Sequence, residues 1–259
     1  MKIATTCTAL LLLAAADASA DESTVKELAP TGKLRVALVF APSKSVFFVV
    51  KDPDGEPQGV TADLAAALGR KLNLPVEYVL FPNSGLATDA TEQGTVDVSF
   101  MPVDEERKKR LAFGPNYVLG ESTYMVTAAT GAQTVEDVDR PGMRVIGIAN
   151  TTTIRAAGRT LKNTTIAPVT SVGEAVAALR DGKADAFALS RDSLPTYVRQ
   201  VPGSRMVDGQ FQQIGIAIAV AKGKPLALAA VTEFLDEAKR NGTVRKALDN
   251  AGFGDKVVP

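Results

Sequence analysis

The sequence contains no histidine and no tryptophan, and its single cysteine is Cys7. The absence of histidine excludes the Ser-His-Asp and Cys-His arrangements of nucleophilic enzymes, and it excludes zinc sites that use imidazole. Because Cys7 lies in a segment that we expect to be removed, the mature chain is expected to have neither a disulfide nor a thiol. We therefore expect no cofactor and no transition-metal site, whereas a cation site built from oxygen ligands alone stays open.

Net charge and aromatic side chains are also scarce. The 29 Lys and Arg residues balance the 29 Asp and Glu residues, and aromatic residues make up 5% of the chain. A balanced charge gives no electrostatic attraction to nucleic acid or to an anionic membrane, so neither is expected as a partner. The 259 residues, of which 46% are hydrophobic, suffice to build the core of one large or two small globular lobes.

The first twenty residues have the pattern of a secretory signal peptide. A positive start is followed by an apolar run over 8–16, and small residues at 18–20 form a cleavage site. The apolar run is too short to span a bilayer. Cys7 precedes the run, which argues against lipid attachment at that residue. We predict cleavage before Asp21 and a periplasmic location for the mature protein.

After this segment, hydrophobic runs of strand length alternate with segments of helical periodicity, in two successive regions. Such alternation predicts two α/β units with mostly parallel strands. Extended segments at 121–127 and 215–221 would carry the chain to the second unit and back, leaving a cleft where ligand sites usually lie. The predicted strands are 33–40, 46–50, 75–81, 96–101, 144–149, 165–169 and 185–189, and the predicted helices are 61–72, 89–93, 153–161, 172–180, 226–238 and 244–248.

Six motifs occur in a fixed order along the chain: GKLRVAL, DGEPQGVTADLAAAL, DEERKKRLAFGPNYV, RVIGIANTTT, LRDGKADAFAL and RNGTVRKAL. With them, the chain resembles the extracellular solute-binding proteins, family 3, of polar amino-acid ABC transporters, over nearly its whole mature length. The resemblance implies a two-lobed α/β fold of the periplasmic-binding-protein type II, with two hinge crossovers. It places lobe 1 at 31–120 and 217–259 and lobe 2 at 121–216.

The same resemblance implies a function. A monomer captures a small carboxylate-bearing solute, an amino acid or a related organic acid, and delivers it to an ABC permease in the inner membrane. The lobes are expected to close on the solute, because a ligand that touches both lobes binds the closed state better.

Arg107 is the first candidate for ligand binding. It lies in the charge run 104–110, and such a run is ordinarily a solvated face or a source of surface ion pairs. Arg107 nevertheless matches the family arginine that precedes an Ala-Phe-x-Pro-x-Tyr stretch, here at 112–117. The planar guanidinium group can bind a carboxylate through two hydrogen bonds. The resemblance therefore implies that Arg107 binds the carboxylate of the solute.

Three consecutive threonines, Thr151, Thr152 and Thr153, follow a predicted strand and begin a predicted helix. One hydroxyl is expected to cap the helix. An anion over the same helix end would also be stabilised by the free N–H groups and the helix dipole. The segment resembles the Gly-Thr-Thr turn of the family, which implies ligand contacts by Thr153 and Thr152, although Thr151 replaces the usual glycine.

The last strand of lobe 2 departs from the family pattern. Amino-acid binders usually have an aspartate there, which pairs with the ammonium group of the ligand. Here Ser190 occupies that position and Asp192 follows two residues later. Because a buried ammonium group without a carboxylate is costly, either Asp192 or another acid compensates, or the ligand lacks the ammonium group. One of Phe40, Phe47 and Phe48 is also expected to line the cleft, with Phe40 preferred, and the others to pack in the core.

An enzyme on the same fold is the alternative function, because a fold does not determine an activity. A periplasmic lyase that resembles cyclohexadienyl dehydratase would bind its substrate through Arg107. In the absence of histidine, its general acid would be a carboxylic acid such as Glu121 or Asp192. We expect a binding protein rather than an enzyme.

Overall fold

The structure is a computed structural model that describes residues 21–259, so the predicted signal peptide lies outside it. The α-helices are α1 (Glu22–Leu28), α2 (Val60–Leu72), α3 (Ser84–Glu92), α4 (Glu105–Arg110), α5 (Val135–Val138), α6 (Thr152–Thr160), α7 (Val172–Arg180), α8 (Leu194–Val198), α9 (Pro225–Arg240) and α10 (Thr243–Ala251). The strands are β1 (Leu34–Phe40), β2 (Phe48–Lys51), β3 (Pro57–Gln58), β4 (Val76–Phe81), β5 (Val98–Pro102), β6 (Leu111–Val126), β7 (Val145–Ile148), β8 (Ile166–Val169), β9 (Ala186–Ser190), β10 (Arg205–Met206) and β11 (Gln212–Ala221). Of the helices in this range, none has both the length and the hydropathy needed to cross a membrane.

The strands form two α/β lobes. In lobe 1, β1 pairs in parallel with β2, β4 and β5. In lobe 2, β7 pairs in parallel with β8 and β9. The alternating pattern of the sequence therefore predicted both the fold class and the parallel pairing within each lobe.

Two long antiparallel strands, β6 and β11, join the lobes. On the lobe 1 side β11 also pairs with β5, and on the lobe 2 side β6 also pairs with β9 from Ser122 onward. Between these regions, residues 119–121 and 213–215 have only each other as strand partners in the described sheet, and one further backbone hydrogen bond holds each end, from Val103 to the Gly215 carbonyl and from Arg191 to the Glu121 carbonyl. We call these six residues the hinge ribbon. A two-stranded ribbon has no other strand to support it, so it is the part of the sheet that bends most easily.

Helix α2 shows how the sequence pattern places the core. Val60, Leu64 and Leu68 recur every four residues and are fully buried on one face of the helix. Asn73 ends the helix in the left-handed conformation, with φ of 52°, which asparagine tolerates better than most residues. The core of lobe 1 thus lies where the 3.6-residue period predicted it.

Each lobe contains the same arginine–aspartate clamp next to its first strand. In lobe 1, the backbone N–H and the Nε–H of Arg35 donate to Asp97 Oδ2 at 2.8 and 3.0 Å. In lobe 2, the same two groups of Arg144 donate to Asp185 Oδ2, both at 2.9 Å. The side chains of Arg35 and Asp97 are 19% and 0% exposed, whereas those of Arg144 and Asp185 are 53% and 19% exposed. The same geometry is therefore more deeply buried in lobe 1 than in lobe 2.

The crossover strand β6 is longer than predicted. The extended segment was expected from residue 121, but the strand begins at Leu111. Its pairing with β11 shifts register across Gly114 and Pro115, where Phe113 pairs with Ala219 and Asn116 pairs with Ala217. Proline cannot donate a hydrogen bond to a ladder and is tolerated at such an irregularity. The start of β6 was therefore not predicted, because this stretch has the composition of a loop.

Candidate functional site

A cavity lies between the lobes, at the carboxyl ends of β1 and β4 in lobe 1 and of β7 and β9 in lobe 2. Ligands of open α/β sheets bind at this end of the strands. With the lobes in contact, the free volume of the cavity is about 20 Å³, which is room for about one water molecule. It is lined by Val39, Ala41, Phe47, Phe48, Pro82, Asn83 and Ser84 from lobe 1, and by Ile148, Thr151, Thr152, Thr153, Val172, Ala188, Leu189 and Ser190 from lobe 2.

Two helices begin at the wall of this cavity, one from each lobe. The Asn83 side chain caps α3 by accepting a backbone N–H at 3.0 Å. The Thr151 hydroxyl caps α6 in the same way, at 3.3 Å. The residue that replaces the usual glycine is thus the cap, which leaves the hydroxyls of Thr152 and Thr153 for other partners. Both helix ends make the cavity electropositive.

The structure brings Thr152, Thr153 and Ser190 together in the lobe 2 wall. Thr152 and Ser190 are buried, with 2% and 6% of their surface exposed. The Thr153 hydroxyl lies 3.3 Å from the hydroxyl of Ser122, which pairs with Ser190 across the β6–β9 ladder. These predicted residues form a patch of neutral hydroxyl groups on one side of the cavity.

Arg107 lies directly behind the lobe 1 wall. Its side chain is the buried member of the charge run, with 2% of the residue exposed. Nη2 donates to Ser84 Oγ at 2.7 Å and Nη1 donates to the Pro102 carbonyl at 2.9 Å. No ion pair joins Arg107 to a carboxylate of the described residues; the nearby Asp104 pairs with Arg155 instead. Burial, together with the charge of Arg155, lowers the pKa of Arg107 to about 9.

The aromatic residues that line the cavity are not the one that the sequence analysis preferred, Phe40. Val39 and Ala41 face the cavity, and because side chains alternate along a strand, Phe40 points away from it. The centroid of the Phe40 ring instead lies 5.6 Å from Nζ of Lys51. Phe47 and Phe48, expected in the core, both line the cavity, with ring centroids 4.2 Å apart.

Asp192 is also absent from the cavity wall. Its Oδ1 lies 2.9 Å from Nζ of Lys256, and only 5% of its side chain is exposed. Glu121, the other acid considered, lies 3.3 Å from Nε of Arg191. Both carboxylates are therefore paired with a cation outside the cavity.

Several of these contacts join the two lobes directly. Lys256 lies in the chain segment after α10, which packs on lobe 1, and Asp192 belongs to lobe 2. The Ser43 hydroxyl donates to that of Thr196 at 2.9 Å, again across the cleft. The structure thus describes two lobes that are in direct contact with each other.

Sequence reasoning overlooked Asn83 and Ser84. Their signal was present: Pro82 follows a predicted strand, and the next two residues are of the types that cap helices. The predicted helix was instead placed from residue 89, because the buried apolar residues between 84 and 92 are small and the one large apolar residue, Leu86, is exposed, which gives a weak period. The cap residues of α3 are therefore part of the site.

Comparison with known proteins gives a consistent result. The sequence model of the bacterial extracellular solute-binding proteins, family 3, matches residues 39–253. A glutamine-binding protein of Geobacillus stearothermophilus is 24% identical over 214 residues, which cover 80% of this chain and 79% of the relative.

Solved structures agree with this match. An ancestral arginine-binding protein bound to glutamine superposes with a TM-score of 0.75 at 28% identity, over 86% of this chain and 98% of the other. An ancestral amino acid-binding protein, a precursor of cyclohexadienyl dehydratase, superposes with a TM-score of 0.74 at 28% identity, over 87% and 98%.

Proposed function

Because the chain belongs to the bacterial extracellular solute-binding proteins of family 3, we propose that it is the periplasmic substrate-binding component of an ABC importer. Its ligand is a small solute with a carboxylate, in the class of amino acids and related organic acids. The relatives that bind glutamine or arginine support this class. The protein acts as a monomer, and its protein partner is a permease of the inner membrane.

The observation that carries the proposal is the buried, unpaired cation at the cavity wall. Buried charges in proteins are normally paired, and Arg107 has only neutral partners, Ser84 Oγ and the Pro102 carbonyl. Ser84 lines the cavity and Arg107 itself does not, so a ligand carboxylate must displace the Ser84 hydroxyl to reach Nη2. A ligand carboxylate that takes this place supplies the missing negative charge.

Closure follows from the position of the ligand between the lobes. The carboxylate binds Arg107 of lobe 1, and Thr152 and Thr153 of lobe 2 contact the same ligand near the start of α6. Lobe 1 then comprises 31–120 and 217–259, and lobe 2 comprises 121–216, with the hinge ribbon at their boundary. The ligand shifts the protein towards the closed state only to the extent that it binds the closed state more tightly than the open state.

Closure can be tested at Gly85, which touches lobe 2. A Cβ atom on Gly85 would lie 2.6 Å from the Cβ of Asn150. Gly85→Ala should therefore hinder closure, and we expect at least a tenfold loss of ligand affinity, about 1.4 kcal/mol, measured by calorimetry. In the open form the clash with Asn150 is absent, and the one tight contact left is 3.1 Å to Asn83 Oδ1 of the same lobe, so the stability of the unliganded protein should change little.

Gly158→Ala is the matched control, because its added Cβ meets only a side-chain atom of Ile166, at 3.7 Å. Gly158 lies in α6, so both variants replace a helical glycine. The control should keep its affinity. Equal affinities for the two variants would show that the lobes do not approach each other at Gly85 when the ligand is bound.

A thermal-shift screen tests the function itself. The panel contains the common amino acids and simple organic carboxylates, with glutamine and arginine included. A specific ligand at a hundred times its dissociation constant should add about 2.7 kcal/mol of stability. If no amino acid and no organic acid raises the melting temperature, the proposed ligand class is wrong.

The structure favours a binding protein over the lyase alternative. A general acid must reach the substrate, and both candidates, Glu121 and Asp192, pair with cations outside the cavity wall. The precursor of cyclohexadienyl dehydratase among the structural relatives is itself an amino acid-binding protein. We therefore propose that the chain binds its solute without changing it.

A further inference from the structure

The charge of the cavity limits which solute can be bound. Of the described residues, those that line it carry no ionisable side chain. The polar members are one amide, Asn83, and hydroxyl groups such as those of Ser84, Thr152 and Ser190. A cationic group of a ligand would therefore find hydrogen-bond acceptors in the wall but no carboxylate.

The acids that lie around the cavity are each neutralised by a cation. Asp104 pairs with Arg155, and Asp192 pairs with Lys256. The second oxygen of Asp192 is buried without a hydrogen-bond partner, but the charge of the residue is already matched by Lys256. Redirecting Asp192 to a ligand would leave Lys256, of which 17% is exposed, largely desolvated and unpaired.

The cation behind the wall has no such partner. Arg107 contributes one positive charge next to the cavity, and the starts of α3 and α6 add partial positive charges of the same sign. The remaining wall is apolar, with Phe47, Phe48, Ile148 and Leu189 among its members. A ligand that complements this surface carries one negative charge and an apolar side chain.

We infer that the preferred solute is a monocarboxylate without an ammonium group, such as a 2-hydroxy or 2-oxo acid with an apolar side chain. This inference rests on the proposed function and narrows its ligand class. In a zwitterion, the ammonium group would lose its water at the Ser190 hydroxyl without gaining a counter-charge, whereas a hydroxyl or oxo group can be satisfied there by a neutral hydrogen bond.

The test is competition between matched ligands on the unmodified protein. The pairs are leucine, phenylalanine and alanine, each with its 2-hydroxy and 2-oxo acid, measured by calorimetric displacement. We expect an acid without the ammonium group to bind at least ten times more tightly than its matching amino acid. If the amino acid binds more tightly, the inference is wrong but the proposed function stands. If no acid of either kind binds, both fail.

Substitution of Ser190 provides a second measurement. Ser190→Asp places a carboxylate in the wall and should shift the affinity ratio at least tenfold towards the amino acid. Gln200→Asp is the matched control, since it adds the same charge to an exposed position of lobe 2. An unchanged ratio in a folded Ser190→Asp protein would overturn the placement of the ammonium position, as would a loss of amino-acid binding in Asp192→Asn.

Discussion

Arg107→Met is expected to abolish ligand binding while changing the stability of the unliganded protein little. Removing one partner of a desolvated charge pair costs about 2 to 5 kcal/mol, which is a factor of roughly thirty to several thousand in affinity. In the unliganded protein, the substitution removes the hydrogen bonds from Arg107 to Ser84 and Pro102, but it also removes the cost of burying an unpaired cation. The two effects oppose each other.

An arginine that reached into an open cleft would tolerate substitution because water already solvates its charge. The structure buries Arg107 almost completely, so the tolerance now depends on the desolvation of its charge. Arg107→Lys should rescue little binding, because an ammonium group cannot reproduce the planar fork.

Calorimetry and urea unfolding measure the two halves of this prediction. Arg110→Met is the matched control, since Arg110 belongs to the same helix but pairs with Asp89 and Glu92 on the surface. It should bind ligand normally. Unchanged affinity in Arg107→Met would place the anion site elsewhere in the cavity.

The second large effect is expected from the buried clamp of lobe 1. In Asp97→Ala, three side-chain and backbone N–H groups of Arg35 lose their acceptor in an environment with little water. Breaking a buried pair by removing one partner typically costs about 3 to 5 kcal/mol. We expect the unfolding free energy to fall by about this amount.

Asp185→Ala is a strict control, because it removes the same hydrogen bonds from the same geometry in lobe 2. Water already solvates much of Arg144, so the loss should be clearly smaller. Urea unfolding of both variants provides the comparison. Equal losses would show that the geometry of the clamp, and not its burial, determines its contribution.

The strands were predictable where burial dictates sequence. The run 33–40 is almost continuously apolar because β1 has strands on both edges and is buried on both faces, and 185–189 is apolar for the same reason. The start of β6 was not predictable, because Gly114 and Pro115 have the composition of a loop. Pairing with β11, a hundred residues later in the chain, holds this segment extended.

The site was predictable in part. The threonines before α6 and Ser190 follow strands at the end of the sheet where ligands bind, so their convergence follows from topology. The choice among Phe40, Phe47 and Phe48 depends on which face of β1 meets lobe 2, and a strand buried on both faces has no alternation that could reveal it. The ion pair of Asp192 joins residues 64 positions apart and required the tertiary structure.

The position of β11 in the sheet also affects the order in which the lobes can form. All strands that belong to lobe 2 alone end by Met206. In lobe 1, by contrast, one edge of β5 has no partner strand until Ile216–Ala219 have been synthesised. A chain that emerges with its N-terminus first can therefore complete the sheet of lobe 2 before that of lobe 1, although β1 emerges first. Until then β5 has an open apolar edge, and such edges promote association between chains.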